Sequence, residues 1–155
     1  MLVGDILQGP EVALAAYLST GLDSLANSTS TSTGLKLGAA IDNSAGLYTE
    51  VTWRLKLGTL TPGAGGFVEL YCLPGDDDTG NFAEGSDSLQ PQSCYLAWVW
   101  PLNPASGAPY HFTGRLWLPR YSKWLLRNKA GVALASSGNT LQYQLVKDSI
   151  VPREA

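Results

Sequence analysis

The chain carries a single histidine, His111, set between Tyr110 and Phe112 in an aromatic run. An imidazole can hold a metal or move a proton, but both tasks need companions. A zinc site takes three or four nitrogen, sulfur or carboxylate ligands, and no second His or suitably spaced Cys accompanies this one. Counting alone does not exclude a nucleophile–His–acid triad, yet no Gly-x-Ser-x-Gly elbow supports it. The sequence also has no P-loop and no dinucleotide fingerprint. His111 reads as a surface or satisfied core residue of a strand, and the chain as a non-enzyme without a cofactor.

The densest acidic run is Asp76-Asp77-Asp78, followed by Thr79-Gly80-Asn81. Oxygen-rich loops bind calcium, which makes Asp76 and Asp78 the ligand candidates. The alternating acids, the glycine at the sixth position and the distal Glu of an EF-hand are missing. A glycosidase pair needs two carboxyls about 5–10 Å apart on rigid elements, which neighbours on a Gly-flanked loop do not supply. A solvated turn is the plain reading. Cys72 and Cys94 lie in strand-like runs without Cys-x-x-Cys spacing and read as reduced structural thiols. The alternative is a disulfide between neighbouring strands, if their Cα atoms approach within about 7 Å.

Five tryptophans form the most unusual count. Trp98 and Trp100 share a strand face by the period of two, with Leu96 beside them, while Trp53, Trp117 and Trp124 lie on other strands. Such side chains bury large areas, so packing between sheets is the plain reading. The functional readings are a platform for sugar stacking, or anchors in a protein interface, where Trp and Tyr concentrate. Low charge favours the interface, because interface cores are depleted of charged residues.

These residues must sit on some scaffold, and composition narrows it. Of 155 residues, 45% are hydrophobic and only 15% charged, with 17 glycines and 9 prolines. A helix bundle would carry far more Glu, Lys and Ala, and a disordered chain fewer aromatics. A net charge of −3 lacks the basic footprint of a nucleic-acid binder. From Leu47 to Leu57 apolar and polar residues alternate, the pattern of a half-buried strand. Thr61–Gly66 supplies a turn and Phe67–Leu73 the next strand, which together read as a hairpin-like pair. Further strand runs fall at Gly34–Ile41, Cys94–Trp100, Tyr110–Leu118, Lys123–Asn128 and Thr140–Val146. A long polar loop joins Pro74 to Pro91, another Pro101 to Pro109. Short strands at regular spacing predict a sandwich or barrel.

The N-terminal third is more ambiguous. Leu14, Leu18 and Leu22 have helical spacing, but Ser28–Thr33 is pure Ser/Thr and poor in helix formers, so a strand with an extended arm is preferred. No Lys or Arg occurs in the first 35 residues, and Asp5 and Glu11 interrupt the apolar stretch. This is not the pattern of a secretory signal, and no run is long enough to span a membrane. The chain is read as made and kept in a cytoplasm.

Several strings are distinctive: Leu22–Asn27, Gly38–Asn43, Leu60-Thr61-Pro62 with Gly65–Tyr71, and Leu125–Leu141. In order and spacing they resemble a family of small structural proteins of tailed bacteriophages, over roughly residues 20–147. The resemblance implies a decoration (cement) protein that binds the major capsid protein. It would be made in the host cytoplasm, placed on the capsid surface, and homo-oligomeric as a dimer or trimer. It brings no catalytic residues. The resulting expectation is an all-β, antiparallel β-sandwich, jelly-roll-like, with an extended N-terminal arm. Residues 1–33 would be the arm or strand, 34–148 the sandwich and 149–155 a C-terminal tail. Ser28, Thr29 and Ser30 of the arm, with Trp98, Trp100 and Trp117, are the interface candidates. A carbohydrate-binding β-sandwich of a phage tail or fibre is the alternative, and neither nucleic acid nor membrane is expected as a partner.

Overall fold

The computed structural model describes residues 4–8, 12–76, 81–104, 107 and 109–152, the terminal stretches 4–8 and 148–152 as backbone. The Asp77–Gly80 part of the acidic run, with the calcium candidate Asp78, lies outside the described residues. Eleven strands follow in chain order: β1 (Gly4–Gln8), β2 (Ala15–Leu18), β3 (Leu35–Leu37), β4 (Ile41–Asp42), β5 (Glu50–Leu57), β6 (Phe67–Gly75), β7 (Leu96–Pro101), β8 (Tyr110–Trp117), β9 (Tyr121–Lys129), β10 (Thr140–Val146) and β11 (Asp148–Pro152). Each run expected to be a strand contains one, but Gly34–Ile41 breaks at residues 38–40 into β3 and the start of β4. Ser93–Tyr95 forms a 3-10 turn ahead of β7.

Their pairing is nested. β6 pairs with β7, β5 with β8, β3 and β4 with β9, and β2 with β10, each antiparallel. β10 also lies beside β5, and β9 beside β6. Two sheets result, ordered β2-β10-β5-β8 and β3-β9-β6-β7, with β4 joined to β9. A long hairpin rolled so that successive pairs fall in alternate sheets is a jelly roll. β1 and β11 continue the nest by one more pair, Gly4 opposite Pro152 through Gln8 opposite Asp148, in a two-stranded ribbon.

One local expectation is corrected. β5 and β6 do not form a hairpin, because they belong to different sheets. The 58–66 connection crosses the end of the sandwich, burying Leu60 in the core and donating Gly63 N–H to the Ala130 carbonyl at 2.8 Å. The alternating stretch is also shorter than it reads. Leu47 sits in a turn with φ 49°, 63% exposed, and Asn43 holds that turn through Tyr48 N–H at 2.7 Å.

Between the sheets, Val51, Trp53, Leu55 and Leu57 of β5 meet Val68 and Leu70 of β6 and Trp124 and Leu126 of β9. Each such side chain contributes about 1.5–3 kcal/mol by leaving water. β9 is buried on both faces, since Leu125 packs outward with Leu35 and Tyr71 in a second small cluster. The N-terminal stretch supplies the cover there. Leu22 is fully buried, and residues 25–34 run beside β9, where Asn128 Nδ2 donates to the Leu25 and Ala26 carbonyls. Gly34 closes this stretch at φ +68°, with Ala26 O only 2.6 Å from where a Cβ would stand. The outer face of the other sheet carries the polar half of the β5, β8 and β10 alternation.

Candidate functional site

The two long sides of the sandwich differ. On one side Tyr17 of β2 bridges the sheets: its hydroxyl accepts Trp124 N–H at 2.8 Å and donates to Ala39 O at 2.7 Å. Its ring stands edge-on to Trp53, which packs against Trp124 with centroids 4.9 Å apart. Burial pushes the Tyr17 hydroxyl above the ordinary phenol range, so it stays a neutral donor and acceptor.

The other side is bounded by β7 and β8, the free edges of their sheets. Edge strands expose unpaired backbone groups, which proteins usually guard with charge, proline or cover. β7 reads Leu-Ala-Trp-Val-Trp-Pro and carries no charge, with only its last residue, Pro101, of the guarding kind. Its Leu96, Trp98 and Val99 are exposed, and Trp117 at the end of β8 is 70% exposed. Four of the eight large exposed hydrophobics among the described residues therefore gather on this one edge. Trp98 spans the gap: a Cβ at Gly114 of β8 would lie 3.3 Å from its indole, so the glycine admits the ring. Beside it runs an apolar groove of about 280 Å3, lined by Cys72, Cys94, Leu96, Leu116, Trp117 and Trp124. Burial pushes the Cys72 thiol up to about 12, which leaves it a packing group rather than a nucleophile. Both cysteines are free.

The six interface candidates separate. Trp117 and, at 37%, Trp98 are exposed on this edge. Trp100 shares the inward face with Trp98 but is 2% exposed within the core, because β7 is covered by the opposite sheet at that end. It offers no surface, which corrects its assignment as a contact. Ser28 is likewise corrected: it is 2% exposed, and its Oγ accepts Arg127 Nε at 2.9 Å. Thr29 and Ser30 are exposed beside it, and the Ser30 carbonyl accepts Arg127 Nη2 at 3.5 Å. Asp76 is exposed, and among the described residues no cluster of three His, Cys, Asp or Glu is placed to hold a metal. His111 lies on the outer face of β8, away from the edge groove.

Sequence reasoning set Leu96 beside the two tryptophans without counting it as a contact, and missed Val99. A signal for them was present, since no Asp, Glu, Lys or Arg occurs anywhere between Asp87 and Arg115, the stretch that contains all of β7.

A scan against models of protein families finds no match, and a search of curated proteins finds none either. Among solved structures the chain is similar to a recombinantly expressed latent aurone synthase (polyphenol oxidase), at 12% identity and a TM-score of 0.33. The alignment takes in all of this chain and 26% of that one. A likeness this distant says nothing about activity.

Proposed function

We propose that the protein is a bacteriophage capsid decoration (cement) protein that docks on the major capsid protein through its β7/β8 edge. The observation that supports this reading is the uncharged β7, with Leu96, Trp98 and Val99 exposed and Leu96 sharing a groove with the exposed Trp117. A free, apolar edge of this kind invites aggregation unless a partner covers it. Trp anchors beside exposed backbone donors and acceptors suit a protein partner, which can add a strand and fill the groove. Jelly rolls are common among virion proteins, a consistency of fold and not an argument from it. On a shell, many weak contacts add up when an oligomer bridges several subunits, so each edge needs only modest affinity. The sugar-platform reading of β7 is weakened, because only one of its two rings is open.

Co-sedimentation with capsids of the host phage tests the reading. Wild-type protein is expected to pellet with capsids, and Val99→Lys and Trp117→Ala to remain in the supernatant with unchanged melting temperature. Absence of wild-type protein from the pellet, or edge variants that pellet like wild type, overturns it.

A further inference from the structure

The outer face of the β2-β10-β5-β8 sheet has a character of its own. Cross-strand register sets Lys56 of β5 opposite His111 of β8 and Thr140 of β10. In the next row Arg54 lies opposite Thr113 and Gln142. Residues two apart on a strand project to the same side about 6.8 Å from each other, and directly opposed ones stand closer. The donors of Arg54, Lys56, His111, Thr113 and Gln142 are thus gathered in one small field.

That field is a recess of about 400 Å3, and none of the residues lining it is acidic. Arg54, Lys56, His111 and Thr113 are exposed. Among the described residues, none of these five side chains forms a hydrogen bond or ion pair. Glu50, the acidic residue of the same β5 face, is occupied by Arg115. Two uncommitted cations on a protein of net charge −3 stand out against their surroundings. A guanidinium fork matches a carboxylate in two parallel bonds, and a neighbouring ammonium adds a point charge.

The rest of the lining decides what carries the acid. Gln142 and Thr113 are neutral groups that both donate and accept, suited to hydroxyls. The volume lies within the range of sites for small ligands and exceeds what a lone inorganic anion fills. We infer that this recess is a binding site for a carboxylate-bearing sugar, a uronate-type residue of an acidic glycan. Arg54 and Lys56 hold the carboxylate, and Gln142, Thr113 and His111 hold ring hydroxyls. The recess shares no lining residue with the β7/β8 groove, and, on the decoration-protein reading, a chain carried on a particle surface would use it to meet an acidic polysaccharide.

Titration of the full chain with trigalacturonate, maltotriose and inorganic phosphate, followed by NMR, tests the inference. Trigalacturonate is expected to shift the amides of Arg54, Lys56, His111 and Gln142, with maltotriose and phosphate at least an order of magnitude weaker. Charge-assisted bonds of this kind are worth about 10- to 100-fold each, so the Arg54→Gln/Lys56→Gln variant is expected to lose at least that much. Both positions are exposed, and the variant's amide spectrum reports that it is folded. Val99→Lys is expected to bind the sugar as wild type does, which keeps this test independent of capsid docking. No shift with trigalacturonate, equal binding of phosphate or maltotriose, or an undiminished double variant overturns the inference.

Discussion

Arg127 and Glu69 face each other across β9 and β6 with Nη1 3.3 Å from Oε2, on side chains only 10% and 12% exposed. The guanidinium also reaches Ser28 Oγ and the Ser30 carbonyl, and Glu69 accepts the Tyr71 hydroxyl at 3.0 Å. The pair thereby fastens the Ser/Thr stretch to the sheet. Removing one partner of a buried ion pair strands the other charge, at about 3–5 kcal/mol. Arg127→Ala is expected to lower unfolding free energy in urea by that amount and to open residues 28–33 to limited proteolysis. Replacing both residues, Arg127→Met with Glu69→Leu, should recover most of the loss, because no charge is then left buried.

Two core tryptophans predict unequal responses to the same change. The Trp100 indole N–H is buried without a partner, as is that of Trp53. Trp124 instead donates Nε1 to Ser122 Oγ at 2.9 Å, and Ser122 is itself fully buried. An unmet buried donor costs about 1–3 kcal/mol, so Trp100→Phe removes a penalty along with its contacts. Trp124→Phe loses both contacts and bond. The second variant is expected to be less stable than the first by about 1–3 kcal/mol, measured by chemical denaturation.

The thiols should separate in reactivity. Cys94 is exposed, whereas burial holds Cys72 at about 12, several units above neutral pH. Under native conditions at pH 8, iodoacetamide followed by mass spectrometry should label Cys94 and spare Cys72 until denaturant is added. Rapid native labelling of Cys72 would show that the β7/β8 groove opens.

Asp87 gives a pH dependence. Partial burial disfavours its charge, but the Leu37 N–H and the Lys36 ammonium, both at 2.6 Å, outweigh that and hold the carboxyl below its ordinary value. A lowered folded-state value stabilises above the unfolded value, and the gain is lost as pH falls through the folded one. The clasp between the 86–90 loop and β3 should therefore hold at neutral pH and weaken below about pH 4. Hydrogen exchange at Leu37 should show that loss in wild type, and Asp87→Ala should show it at every pH.

Strand positions were legible because alternation is local: β5 and β10 declare their buried faces residue by residue. The partners of those strands were not legible. β5 and β6 are neighbours in sequence with a good turn between them, and only the crossing of the 58–66 connection puts them in different sheets. The same limit applies to the site. Trp98 and Trp100 have one pattern and opposite exposures, decided by where the facing sheet ends. Ser28 looks like a solvated linker residue until Arg127, 99 positions away, is seen to claim it. Arg54, Lys56 and His111 became a cluster only through the β5–β8 register.

The nested pairing has a mechanical consequence. The first and last described strands, β1 and β11, pair with each other in one ribbon, where Gly4 lies opposite Pro152. Tension applied between Gly4 and Pro152 loads one pair of ladder bonds at a time and peels the roll from the outside inward. It would open β1 from β11 first, then β2 from β10, with β6 and β7 parting last. A chain held at β1 and β11 is in this sense a zipper with the slider at the load. Held by its β7/β8 edge, it is gripped at the innermost turn of the roll, the part that such peeling reaches last.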